Sequence, residues 1–158
     1  MFVHIEEFWD SEKVKFYSLR IEDADYFETD NFIERFSDSE HKRDLEVIIE
    51  ALQTIGGKRG AEERYFRPKK NARALPQIKG AKLRLYCIRV SNDIVILGNG
   101  DIKTARTDQE CPNVGPIFEF MNKLEAAFTN KVREKEIIVG NKNLIGDLIL
   151  EIHYNRKA

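Results

Sequence analysis

The spacing of apolar residues switches twice along this 158-residue chain, and that switch restricts the fold more than any other feature. Leu45, Ile48, Ile49, Leu52 and Ile55 recur three and four residues apart, which predicts a helix over Asp38–Ile55 with one core-facing stripe. Ser37-Asp-Ser-Glu40 has the spacing of a capping box at its start, and Gly56-Gly57 marks its end. Leu83–Val90 and Ile94–Leu97 change to strand-like patterning, joined at Ser91-Asn92-Asp93 as a hairpin. Helical spacing returns from Gly115-Pro116 to about Arg133, with Ile117, Phe120, Met121, Leu124 and Phe128 on the buried side.

The remaining segments fit around these. Val14–Ile21 reads as a strand and Asp30–Phe36 as a short helix. Gly60–Pro76 is an irregular basic connection with a short strand around Arg64–Arg67, because Pro68 and Pro76 cannot donate to a central ladder. Gly98-Asn-Gly100 reads as a turn that interrupts the pattern before Ile102–Ala105 resumes it. It lacks the Gly-x-x-x-x-Gly-Lys spacing of a phosphate loop. Ile137–Val139 and Leu148–His153 read as closing strands, separated by a turn at Gly140–Asn143. Trp9, with Phe2 and Phe8, is an N-terminal apolar anchor or a partner surface.

The expected architecture is therefore α+β, in a single domain over residues 1–158. No apolar run approaches the ~20 residues a membrane helix needs, and the N-terminus lacks the pattern of a signal peptide. No membrane contact and a cytoplasmic location are the expectations. Cys87 and Cys111 form no Cys-x-x-Cys pair, which predicts two reduced thiols. His4, His41 and His153 are far apart, so neither a metal site nor a cofactor is expected.

Charge points to a partner. The chain has a net charge of only −1, yet Lys58–Thr107 holds 13 Lys/Arg against 4 Asp/Glu. Residues 1–57 hold 6 against 15. A basic block of this density is an electrostatic footprint for a polyanion, and its simplest alternative is a solvated basic face. Strand alternation puts Leu83, Leu85 and Cys87 on one face and Arg84 and Tyr86 on the other, and Arg89 falls on the Leu85 face unless a bulge shifts the register. A cation for phosphate and a ring for stacking are what single-stranded nucleic-acid grooves use. The competing structural role for Arg84 and Tyr86 is a sheet face covered by a helix, with Tyr86 in the core.

Leu83-Arg-Leu-Tyr86, Ile94-Val-Ile-Leu97 and Asp101-Ile-Lys-Thr-Ala-Arg106, preceded by Arg67 and Ala74-Leu-Pro76, resemble the RelE/ParE toxin superfamily. The closer likeness is to its HigB-like, phage-protein-like branch. The likeness spans about Val14–Arg106 by pattern and Gly60–Arg106 by motif, leaving about residues 108–158 as a C-terminal extension. It implies a RelE-like antiparallel sheet carrying two N-terminal helices, here with an additional C-terminal helix. It further implies a concave sheet face that binds mRNA, on the ribosome in many members, and a metal-independent endoribonuclease reaction driven by the RNA's own 2′-hydroxyl.

Transferred by position, the resemblance makes Arg84, Lys103, Arg106 and Tyr86 the catalytic candidates and Arg67, Lys69, Lys70, Arg73 and Arg89 the RNA-binding ones. The partners it implies are mRNA and a cognate antitoxin. The chain departs from the family downstream of the basic cluster. Family ribonucleases often carry Tyr or His there, whereas Thr107–Cys111 offers Asp108 and Glu110. Two rival readings follow from that departure: a ParE-like inhibitor of gyrase, and a nucleic-acid- or antitoxin-binding module without catalysis.

Overall fold

The computed structural model describes residues 1–67 and 72–153. In chain order the elements are β1 (Phe2–Asp10), β2 (Lys15–Ile21), α1 (Glu28–Phe36), α2 (Lys42–Thr54) and β3 (Arg73–Leu75). There follow β4 (Leu83–Ser91), β5 (Ile94–Ile102), α3 (Gly115–Arg133), β6 (Ile137–Val139), β7 (Leu144–Gly146) and β8 (Ile149–Glu151). Six strands form one sheet in the order β3-β4-β5-β2-β1-β8. Every pairing in it is antiparallel except that of β2 with β5, which is parallel. β6 and β7 make a separate antiparallel ribbon. The α+β expectation holds, and the sheet is mostly rather than wholly antiparallel.

Both faces of the sheet are covered. Phe16, Leu83, Leu85, Cys87, Val95 and Leu97 meet Phe32 and Phe36 of α1 and Leu45, Ile48 and Leu52 of α2. On the opposite face Ile5, Leu19, Tyr86, Ile88 and Ile96 meet the Phe120, Met121 and Leu124 stripe of α3. Each fully buried aliphatic or Phe side chain contributes roughly 1.5–3 kcal/mol. Strands enclosed this way read as continuous apolar runs, as Ile94–Leu97 does. Buried hydroxyls fix α1 in place: the Ser18 and Thr29 hydroxyls lie 2.6 Å apart, and Thr29 donates to the Gly98 carbonyl at 2.9 Å.

Four local expectations change. The Ser37–Glu40 capping box does not open α2, which begins at Lys42. The Ser37 and Ser39 hydroxyls instead donate to the Glu34 and Phe36 carbonyls, both at 3.0 Å, and so finish α1. Gly56-Gly57 does not end the helix, which continues as a π-turn over Ile55–Arg59 and stops at Gly60, where φ is +80°. A Cβ on Gly56 would lie 2.4 Å from Ser11 Oγ, so that glycine allows close packing. Gly98-Asn-Gly100 is not a turn, because β5 continues to Ile102, but it does interrupt the pattern: the register shifts there, with Leu85 opposite Gly100 and Cys87 opposite Leu97. The strand β1, which the sequence reading did not assign, contributes Val3 and Ile5 to the core.

The C-terminal segment joins the main body. β8 pairs with β1 and buries Leu150 opposite Val3. Among the described residues no helix is long and apolar enough to cross a membrane.

Candidate anion-binding site

Three separate segments bring cations to the α3-facing side of the sheet near the start of β4. The alternation of β4 directs Arg84 and Tyr86 there, and both are buried, with relative exposures of 8% and 0%. Arg84 Nη1 donates to the carbonyls of Ala81 and Leu83, the second at 3.2 Å. Its Nε and Nη2 have no hydrogen-bond partner among the described residues. Arg67 forms a β-bridge with Ala74, which itself lies opposite Tyr86. Its Nε and Nη2 donate to the carbonyls of Pro76 and Ile78 at 2.7 and 2.6 Å. Lys103 leaves β5 with its N–H on the Lys82 carbonyl at 2.8 Å, and its Nζ lies 3.5 Å from Asp108 Oδ1.

Burial dominates the electrostatics. It lowers the Arg84 pKa, and the charge of Arg67 lowers it further, against attraction from Asp108 and Asp44. Burial likewise lowers the Arg67 pKa, opposed by Asp108. Both groups stay cationic, since guanidinium is protonated throughout the physiological range. The buried Arg84 and half-buried Arg67 repel one another while backbone carbonyls hold each of them, an arrangement of charge and fixed donors suited to an anion. Tyr86 donates its hydroxyl to Asp108 Oδ1 at 2.8 Å, and burial followed by that bond pushes its pKa far up. The phenol is thus held protonated, so it suits hydrogen-bond donation and not base chemistry near neutral pH.

The other sequence candidates lie elsewhere. Arg89 follows the Leu85 face, as alternation requires, and donates to the Ala61 carbonyl at 2.6 Å. Arg73 and Arg89 share Glu63, at 3.1 and 3.3 Å, so neither joins the cluster. Arg106 is exposed in the loop after β5. Lys69 and Lys70 lie outside the described residues. The sheet face that the resemblance makes concave and open is occupied by α3, whose Phe118 ring sits 5.7 Å from that of Tyr86. The chain matches no protein-family model, no curated protein and no solved structure.

Two residues gain importance that spacing alone does not convey. Asp108 is 3% exposed although it lies in the irregular loop between β5 and α3. Cys111, in the same loop, is a buried free thiol with the Thr104 N–H and hydroxyl 3.3 and 3.4 Å from its sulfur. Burial pushes this thiol up, but hydrogen bonds from Thr104 and from the Val114 and Asn113 N–H groups outweigh it and bring the pKa to about 6. Its one sequence signal is position, just ahead of the helix that Gly115-Pro116 opens. Among the described residues no cluster of His, Cys, Asp and Glu is arranged to hold a metal.

Cys111 predicts a pH dependence of stability. A thiol whose pKa falls from 9.0 unfolded to about 6 folded is deprotonated in the native state first. Between those values the unfolded chain holds the extra proton, so stability rises with pH and is lost as pH falls through about 6. The slope is at most about 1.4 kcal/mol per pH unit. Urea unfolding over this range should show it in the wild type, and Cys111→Ala should remove it.

Proposed function

We propose that this protein is a toxin-like RNA-binding module of the RelE/HigB kind, which holds backbone phosphates at Arg67, Arg84 and Lys103. The observation that carries this reading is the convergence of three cations from three segments, one of them, Arg84, buried and repelled by the half-buried Arg67. A phosphate relieves that repulsion and satisfies the outward N–H groups of Arg84. The arrangement of α1 and α2 over one face of a sheet that contains the β4–β5 hairpin is consistent with a RelE-like fold. mRNA is the partner this reading names in the cytoplasm, with a cognate antitoxin whose acidic segment competes for the same cations.

Binding is favoured over cleavage because Tyr86 is enclosed and committed to Asp108. One observation supports the endoribonuclease reading: Arg84 and Lys103, suited to the charge that develops on phosphorus, sit beside a proton-bearing phenol and a carboxylate. Inducible expression in bacteria with RNA 5′-end mapping separates the two. Growth arrest without new mRNA ends, lost in Arg84→Ala, is the expected result. New ends that vanish in Arg84→Ala would establish the ribonuclease. Arrest that persists in a folded Arg84→Ala protein would remove the cluster from the function.

A further inference from the structure

We propose that Asp108 is an internal competitor for the RNA phosphate, closing the cation cluster when no polyanion is bound. The inference rests on the reading of Arg67, Arg84 and Lys103 as a phosphate site and adds a regulatory element to it. A carboxylate on an irregular surface loop is ordinarily solvated, because burying its charge is costly. Asp108 is instead 3% exposed, accepts the Tyr86 hydroxyl at 2.8 Å and faces Lys103 Nζ at 3.5 Å. Its charge also acts on both Arg67 and Arg84. It therefore stands beside those cations, paired with Lys103 and acting on the two arginines through its charge, with the charge sign of an anionic ligand.

The loop that carries Asp108 is irregular and is anchored at its far end by the buried Cys111 and Val114. Residues 103–114 contain no helix or strand. Apart from Asp108, its hydrogen bonds close mostly on itself or on the strand it leaves. The Cys111 N–H donates to the Asp108 carbonyl at 3.2 Å, and the Glu110 N–H to the Thr107 hydroxyl at 3.3 Å. Cys111 Sγ and Asn113 Nδ2 both address the Ile102 carbonyl, at 3.7 and 3.2 Å. Turning the Asp108 side chain away breaks, among its contacts, the Tyr86 bond and the Lys103 pair, and leaves the backbone contacts of the loop in place. A phosphate entering the cluster replaces what the carboxylate supplied, which keeps the exchange near balance.

The test is fluorescence anisotropy of a labelled short oligouridylate with the full chain at fixed salt. Asp108→Asn keeps the side-chain shape and removes the charge, and should tighten binding about tenfold. Tyr86→Phe leaves every charge in place but releases the carboxylate, and should tighten binding about threefold. Glu110→Gln makes the same charge change on the exposed part of the loop, and should change affinity less than about twofold. Unchanged or weaker binding by Asp108→Asn, or an equal gain from Glu110→Gln, overturns the competitor. Should Asp108→Asn fail to fold, Tyr86→Phe decides: no gain overturns it. The arm Arg67→Ala/Arg84→Ala separates the two levels. Wild-type affinity in that double variant removes the phosphate site itself, whereas reduced affinity with no gain from Asp108→Asn removes only the competitor.

Discussion

Gly100→Ala is expected to cost about 3–5 kcal/mol, a large share of the stability of a domain this size. The reason is contact with fixed atoms. A Cβ built on Gly100 lies 1.9 Å from the Arg84 carbonyl oxygen and 2.7 Å from Cε1 of Phe32. The first is backbone of the neighbouring strand, paired here as Leu85 with Gly100, and the second belongs to a fully buried ring of α1. Neither moves without opening the β4–β5 pairing. Gly98 is the control. Its added Cβ would lie 2.5 Å from Sδ and 2.8 Å from Cε of the flexible Met121 side chain, and a looser 3.1 Å from the Tyr86 carbonyl. Gly98→Ala should therefore cost only about 1 kcal/mol as Met121 changes rotamer. Urea unfolding of the two variants measures the difference. Similar, small losses for both would mean that β4 and β5 are not packed as closely as described.

The same two glycines explain why this stretch reads as a turn from its sequence. Gly-Asn-Gly states only that a Cβ is unwelcome at two positions. A tight turn and a close approach of other chain segments both produce that pattern, and only the tertiary neighbours, Arg84 and Met121, distinguish them. Gly56-Gly57 misleads for the same reason, since Ser11 arrives from a distant part of the chain. Where one element dictates its own pattern, the reading holds. The stripe of α2, the opening of α3 at Gly115-Pro116 and the hairpin at Ser91-Asn92-Asp93 are all local signals. β1 carries a local strand signal of its own, since inward Val3 and Ile5 alternate with His4 and Glu6, and what the sequence does not convey is its pairing with β2 and β8.

The candidate site divides along the same line. Alternation in β4 suffices to place Arg84 and Tyr86 together and Arg89 opposite, because a strand's faces follow from residue parity. What covers a face is another matter. α3 reaches the Arg84 face through a loop whose path no local pattern encodes, and the burial of Asp108 depends on that path. The segment charge was equally informative and equally incomplete. Of the basic residues in Lys58–Thr107, Arg73 and Arg89 are tied to Glu63, and Arg67, Arg84 and Lys103 form the cluster.

Removing both guanidiniums, in Arg67→Ala/Arg84→Ala, should weaken binding of single-stranded RNA by about 100-fold or more. Each charge-assisted contact to a phosphate contributes roughly 1.5–3 kcal/mol, so one such contact is worth about tenfold or more. The salt dependence gives a second, independent reading. On single strands each neutralised phosphate contributes about 0.7 to the slope of log affinity against log salt, so the double variant should lose about 1.4 of that slope. Arg73→Ala and Arg89→Ala bear on the same question from the other side. Both residues are held by Glu63 away from the cluster, and each substitution should leave affinity within about threefold and the slope unchanged. Leaving the Ala81, Leu83, Pro76 and Ile78 carbonyls unpaired costs stability, so each variant is compared by its urea midpoint first. A folded double variant that keeps the wild-type slope would place the RNA on a different surface, and equal losses from Arg73→Ala would place it on the α1–α2 side of the sheet.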